Sequence, residues 1–130
     1  MKPNCYVTSI LAFALIVLSP SNSESRKSHP EKDYQEKWCR ENGGIREIVQ
    51  KDRTRVDCLT AQYAVEVDFG PKWAEAVGQA LHYAEQTGKR AGIVLILEKK
   101  NDWKYWVRLK RLIRHHRLDI QLWSISPKDL

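Results

Sequence analysis

The hydrophobic pattern changes period several times along the chain, and each change marks an element. An unbroken apolar run, Ile10 to Leu18, follows Lys2 and ends at Ser19-Pro20. Nine apolar residues match the hydrophobic region of an export signal and fall well short of the ~20 that span a bilayer. Small residues at Ser21 and Ser23 place cleavage after Ser23. The expectation is a signal peptide over 1–23, no stable membrane span, and an exported protein, periplasmic or secreted. Residues 24–30 are polar without periodicity and are expected to form a flexible leader. A single domain is expected over 31–130.

From Glu31 to Asn42, Tyr34, Trp38 and Cys39 fall on one helical face, and Gly43-Gly44 stops the pattern. Three short β-branched runs follow: Ile45 to Lys51, Thr54 to Thr60 and Tyr63 to Phe69. Turns centred on Asp52-Arg53 and Ala61-Gln62 make them an antiparallel meander. Pro71 then opens a helix to about Thr87, with Trp73, Val77, Leu81 and Ala84 inward and Gly88 as stop. Ala91 to Leu97 is nearly continuous apolar sequence, the mark of a central strand buried on both faces. A helix from Asp102 to His116 turns Trp106, Leu109 and Ile113 inward, and Leu118 to Ile125 is a last strand. This order predicts an α/β fold, an α+β mixed sheet flanked by helices.

Removal of the signal takes away Cys5 and leaves Cys39 and Cys58, which in an oxidising compartment are expected to form a disulfide. The formal net charge of +6 loses only Lys2 and no acid, so the chain stays basic. Much of the excess lies late, at Lys99, Lys100, Lys104, Arg108, Lys110, Arg111, Arg114 and Arg117. That distribution suits a polyanion such as nucleic acid; a solvated face that keeps the protein soluble is the plainer alternative.

The chemistry-bearing residues gather on the second and third strands. With a two-residue turn at Ala61-Gln62, Cys58 faces Val65 and Asp57 faces Glu66 across the ladder. Cross-strand Cβ atoms lie about 4.5–5.5 Å apart, close enough for two carboxylates to share one hard cation such as Mg²⁺. Asp68 falls on the same face by period-two alternation. Another arrangement pairs Asp68 with Arg55 and leaves Asp57 and Glu66 solvated. Glu47 lies opposite Cys58, away from these acids, if the first turn has two residues, and comes round to them if it has three. His82, His115 and His116 have no metal-ligand spacing and read as surface or partly buried. Trp103, Trp106 and Trp123 read as core, with base stacking open to Trp103.

The run Arg55-Val-Asp-Cys-Leu-Thr followed by Tyr63-Ala-Val-Glu-Val-Asp-Phe resembles the paired strands of the PD-(D/E)XK nuclease superfamily. Gln79-Ala-Leu-His-Tyr83 is similar to the Q-x-x-x-Y of its RecB-type members. The resemblance implies a restriction-endonuclease-like αβββαβ core with an additional helix and strand. It also implies that Asp57 and Glu66 bind Mg²⁺ or Mn²⁺, with Gln79 as a nearby polar contact and Tyr83 packed in the helix, its hydroxyl toward Gln79. The sequence departs from the family at position 68, where Asp68 gives E-x-D in place of E-x-K. Lys72, two helical turns before Gln79, is the candidate replacement for the missing lysine. The function expected is Mg²⁺-dependent phosphodiester hydrolysis in DNA or RNA. The alternative is a non-catalytic exported binding module that keeps the nuclease fold.

Overall fold

The computed structural model describes residues 27–130, so the expected export signal and the start of the expected leader lie outside the described residues. The elements are α1 (Glu31–Glu41), β1 (Ile45–Val49), β2 (Arg55–Leu59), β3 (Tyr63–Phe69), α2 (Trp73–Thr87), β4 (Arg90–Ile96), α3 (Trp103–His115) and β5 (Ile120–Ile125). They form a mixed α/β fold on one five-stranded sheet of order β1-β2-β3-β4-β5. β1, β2 and β3 pair antiparallel, whereas β3, β4 and β5 pair parallel. The order of elements is the expected one. Among the described residues no helix is long and apolar enough to cross a membrane.

Two cores sandwich the sheet. Tyr34, Trp38 and Cys39 of α1 pack with Cys58, Val65, Val67, Val94 and Ile96 on one face. Ala76 and Ala80 of α2 and Leu109 of α3 pack with Ile93 and Leu95 on the other. Adjacent residues of β4 thus serve opposite cores, which is why its sequence shows no polar alternation. Within α2 the fully buried line is Ala76, Ala80 and Tyr83; of the expected inward residues, Trp73, Val77 and Ala84 pack half-buried against the core, whereas Leu81 is 38% exposed. Small alanines let the helix approach the sheet closely, and the larger residues Trp73 and Val77 flank that contact. Pro71 belongs to a 3-10 turn, Gly70–Lys72, and α2 itself begins at Trp73. Trp103, expected in the core, is 53% exposed, while Trp106 and Trp123 pack as expected.

Cys39 and Cys58 are disulfide-bonded and tie α1 to β2. A Cβ at Gly44 would run into both sulfur atoms, so only glycine fits beside the bridge. The leader is held as well: Ser28 and His29 donate backbone N–H groups to Glu98 Oε1, at 2.9 and 3.2 Å. The Tyr34 hydroxyl donates to the same oxygen at 2.8 Å.

The β1–β2 hairpin corrects the expected turn. Its register, Ile45↔Leu59 and Val49↔Arg55, requires a three-residue loop. Gln50 and Thr54 close it, with the Gln50 N–H donating to the Thr54 carbonyl at 2.8 Å. Asp52 accepts from the Thr54 N–H and hydroxyl, and Arg53 takes a left-handed φ of 72°. This is the geometry of a three-residue hairpin with a left-handed last position. The extra residue shifts β1 by one and places Glu47 opposite Asp57.

Candidate functional site

Regular pairing between β2 and β3 covers only Cys58↔Val65 and Leu59↔Ala64. Those pairs are the expected ones, but the ladder stops before Asp57. Cys58 packs with α1, whereas Val56 packs with Ala64 and Tyr83 on the α2 side. Residues two apart in a strand ordinarily share a face, so β2 turns over at Asp57. β1 breaks at the facing position: Arg46↔Cys58 and Ile48↔Val56 are paired, while Glu47 between them has φ 58°. A gap therefore opens beside β3, and the Asp57 side chain fills it by accepting the Val67 N–H at 2.8 Å.

Asp57 and Glu66 meet through this gap instead of as ladder partners. Their carboxyl groups lie within hydrogen-bonding reach of each other, which requires a proton or a cation between them. Glu66 is 5% exposed. With its amide nitrogen turned inward, Gln79 donates to both Glu66 oxygens, at 3.1 Å to Oε2. Tyr83, one helical turn on, also brings its hydroxyl to Glu66. Both donors are neutral. Burial, then the charge of Asp57, pushes Glu66 far above the usual carboxylate range. Burial raises Asp57 too, against the opposing Val67 N–H. Burial and the nearby Asp57 and Glu66 charges likewise raise the Tyr83 hydroxyl.

Asp68 is 4% exposed and accepts the Phe69 N–H at 2.7 Å. It does not pair with Arg55, which binds Glu47 at 2.6 Å instead. Lys72 Nζ stands 3.8 Å from Asp68. Because Lys72 lies in the 3-10 turn ahead of α2, its place follows from its four-residue spacing to Asp68 and not from helical phase with Gln79. Burial raises Asp68 to about 7, with the Phe69 N–H and Lys72 opposing.

A cleft of about 440 Å³ opens onto Asp57 between α1 and the β1–β2 hairpin. Its walls include Glu31, Lys32, Gln35, Arg46, Glu47 and Arg55. Glu47 is thus beside the site. It is held below the usual carboxylate range by hydrogen bonds from Arg55 and from Gln35 Nε2, the latter at 3.0 Å. Glu31 is the residue that sequence reasoning missed: its charge helps to raise Asp57, Glu66 and Asp68 alike. In the sequence it reads as an ordinary acid in a helix's first turn. Gln35, 5% exposed and four residues later on the same face, was missed for the same reason. His82 is not isolated: its Nε2 lies 2.5 Å from Asp52 Oδ2, joining α2 to the hairpin tip.

Among the described residues, no three His, Cys, Asp or Glu side chains come together in a set that could hold a metal ion unaided. Two carboxylates are nevertheless a donor set that Mg²⁺ takes, since it commonly binds one or two protein carboxylates and fills its shell with water and phosphate oxygen. Compared with known proteins, the chain matches no family model, no curated protein sequence and no solved structure.

Proposed function

We propose that this chain is an exported metal-dependent phosphodiesterase acting on nucleic acid, with Asp57 and Glu66 holding Mg²⁺ or Mn²⁺. The observation that carries the reading is the Asp57–Glu66 pair. Two carboxyls meet at the splay of β2 and β3, and neither forms an ion pair among the described residues. Such an arrangement costs stability unless a proton or a cation is shared. The all-oxygen donor set favours a hard divalent cation. The element order and the placement of Gln79 and Tyr83 on Glu66 further support the PD-(D/E)XK reading.

Bound there, the ion would polarise a phosphate and lower the pKa of an attacking water. The remaining roles belong to the chain. Gln79 and Tyr83 fix Glu66, and the Val67 N–H fixes Asp57. Gln79 is therefore a positioning residue. Lys72 brings an ammonium to Asp68, at the strand position where the family has its lysine, and would steady charge on the phosphate. The disulfide supports an oxidising destination. The basic residues of α3 would hold the nucleic-acid backbone.

A binding module that keeps the fold without catalysis is the second reading, and Asp68 favours it. Incubating single-stranded DNA, duplex DNA and RNA with Mg²⁺ or Mn²⁺ separates the two. Cleavage by the wild type and its loss in Glu66→Gln supports the enzyme. Intact substrates with both the wild type and a folded Asp68→Lys variant contradict it.

A further inference from the structure

Between α2 and α3 lies a groove of about 560 Å³ lined by Trp73, Arg108, Arg111, Leu112, His115 and His116. The four residues from Arg108 to His115 recur at helical spacing, so one face of α3 forms the wall. Trp73, at the first turn of α2, is half-buried and supplies the aromatic surface. Its ring forms no aromatic pair among the described residues, unlike Trp38, Trp103, Trp106 and Trp123.

Among the described residues the charge here has no ion-pair partner. α3 contains no Asp or Glu. Among the described residues neither Arg108 nor Arg111 forms an ion pair, whereas Arg46, Arg55 and Arg90 each do. Arg108 lies 5.9 Å from the Tyr105 ring centre, a contact that uses none of its N–H donors. Guanidinium groups that share a groove with a half-buried aromatic surface match a chain that offers phosphates and base faces together.

We infer that this groove binds single-stranded nucleic acid, with a base on Trp73 and flanking phosphates on Arg108 and Arg111. The inference deepens the phosphodiesterase reading by naming the strand that the protein takes, and rests on it for the groove's role but not for its chemistry. A duplex keeps its base faces inside the stack and could use only the cations. An anionic membrane surface requires protruding apolar groups, and those on α3, Trp103 and Val107, lie outside the groove.

The test is binding of fluorescein-labelled oligo(dT) to the full mature protein in EDTA, followed by anisotropy at several salt concentrations. The Arg108→Ala/Arg111→Ala variant, altered only at exposed positions, should bind at least tenfold more weakly, with the salt slope reduced by about 1.4. Trp73→Phe should retain most of the affinity and Trp73→Ala should lose about tenfold. Duplex of the same length should compete at least tenfold less well. Unchanged binding by the double arginine variant, equal competition by duplex, or partition onto phosphatidylglycerol vesicles in preference to oligo(dT) overturns the inference. If oligo(dT) binds through the groove but Mg²⁺ and Mn²⁺ never support cleavage, the groove stands and the phosphodiesterase reading falls. If cleavage occurs while the arginine variant binds as the wild type does, the reverse holds.

Discussion

Around Glu66 negative charge is buried and met by neutral donors, Gln79 and Tyr83; along α3 positive charge is exposed and, among the described residues, unpaired. Elsewhere several charges are paired. Arg55 binds Glu47, Arg90 binds Asp119 and Lys37 binds Glu41, all within 2.7 Å. Mixing the two unpaired regions would have cost the fold less, because buried like charges and surface repulsion both oppose compactness. Their separation makes sense if each awaits a different external partner, a cation for the acids and a polyanion for the helix.

The largest effect should come from the acids. Glu66→Gln is expected to lower cleavage at least 1,000-fold, about 4 kcal/mol of transition-state stabilisation. In EDTA at pH 8 the same variant should melt at a higher temperature than the wild type, since it removes a buried acid from beside Asp57. A lower melting temperature would mean that Glu66 supports the fold, and the contrast with α3 would lose its basis.

Next is the bridge behind the site. Cys39→Ser/Cys58→Ser should cost about 3 kcal/mol in denaturant unfolding on the chain-entropy model. Because Cys58 directly follows the turnover at Asp57, the rise in melting temperature expected from Mg²⁺ binding should shrink too. An unaltered shift would show that the disulfide braces α1 without shaping the acid pair.

Lys72→Ala should lower turnover at least tenfold, about 1.4 kcal/mol, and leave the metal response in place. Loss of both together would make Lys72 part of the metal site instead.

The smallest effect is a pH trend. Asp57, Glu66 and Asp68 all have folded-state pKa values above those of the unfolded chain, so the folded state binds more protons. Their stability contribution is complete below about pH 4 and is lost as pH rises through the folded pKa values, that of Asp68 being about 7. In EDTA the melting temperature should therefore fall between pH 4 and pH 7 more in the wild type than in Asp68→Asn. Equal slopes would show that the buried acids are not strained.

The fold was legible because its signals are local. The apolar run of β4, the glycine stop at Gly88 and the Ala61-Gln62 turn each dictate geometry within a few residues. The disulfide followed from two remaining cysteines and an oxidising destination. The site was legible only in part. Asp57 and Glu66 were found from a regular ladder, yet the ladder breaks where they meet. Nothing in Arg46-Glu47-Ile48 announces a left-handed residue, and Asp52-Arg53 carries no glycine to signal a three-residue loop. Glu31 reaches the site from another element, a relation that spacing cannot encode. The burial of α2 was misread in part, because large apolar residues were favoured over alanines, which pack closer. The α2–α3 groove combines Trp73 with residues of α3 far along the chain, so only its basic half was visible in sequence.

The central claim is that Asp57 and Glu66 form a divalent-cation site, and calorimetric titration of the mature protein with Mn²⁺ and Mg²⁺ tests it most directly. The wild type should bind one ion with release of a proton, since the carboxyl pair shares one beforehand. Asp57→Asn and Glu66→Gln should each abolish that heat, while Arg108→Ala/Arg111→Ala leaves it unchanged. Binding of equal strength and stoichiometry in all four proteins, or none in the wild type, would contradict the account.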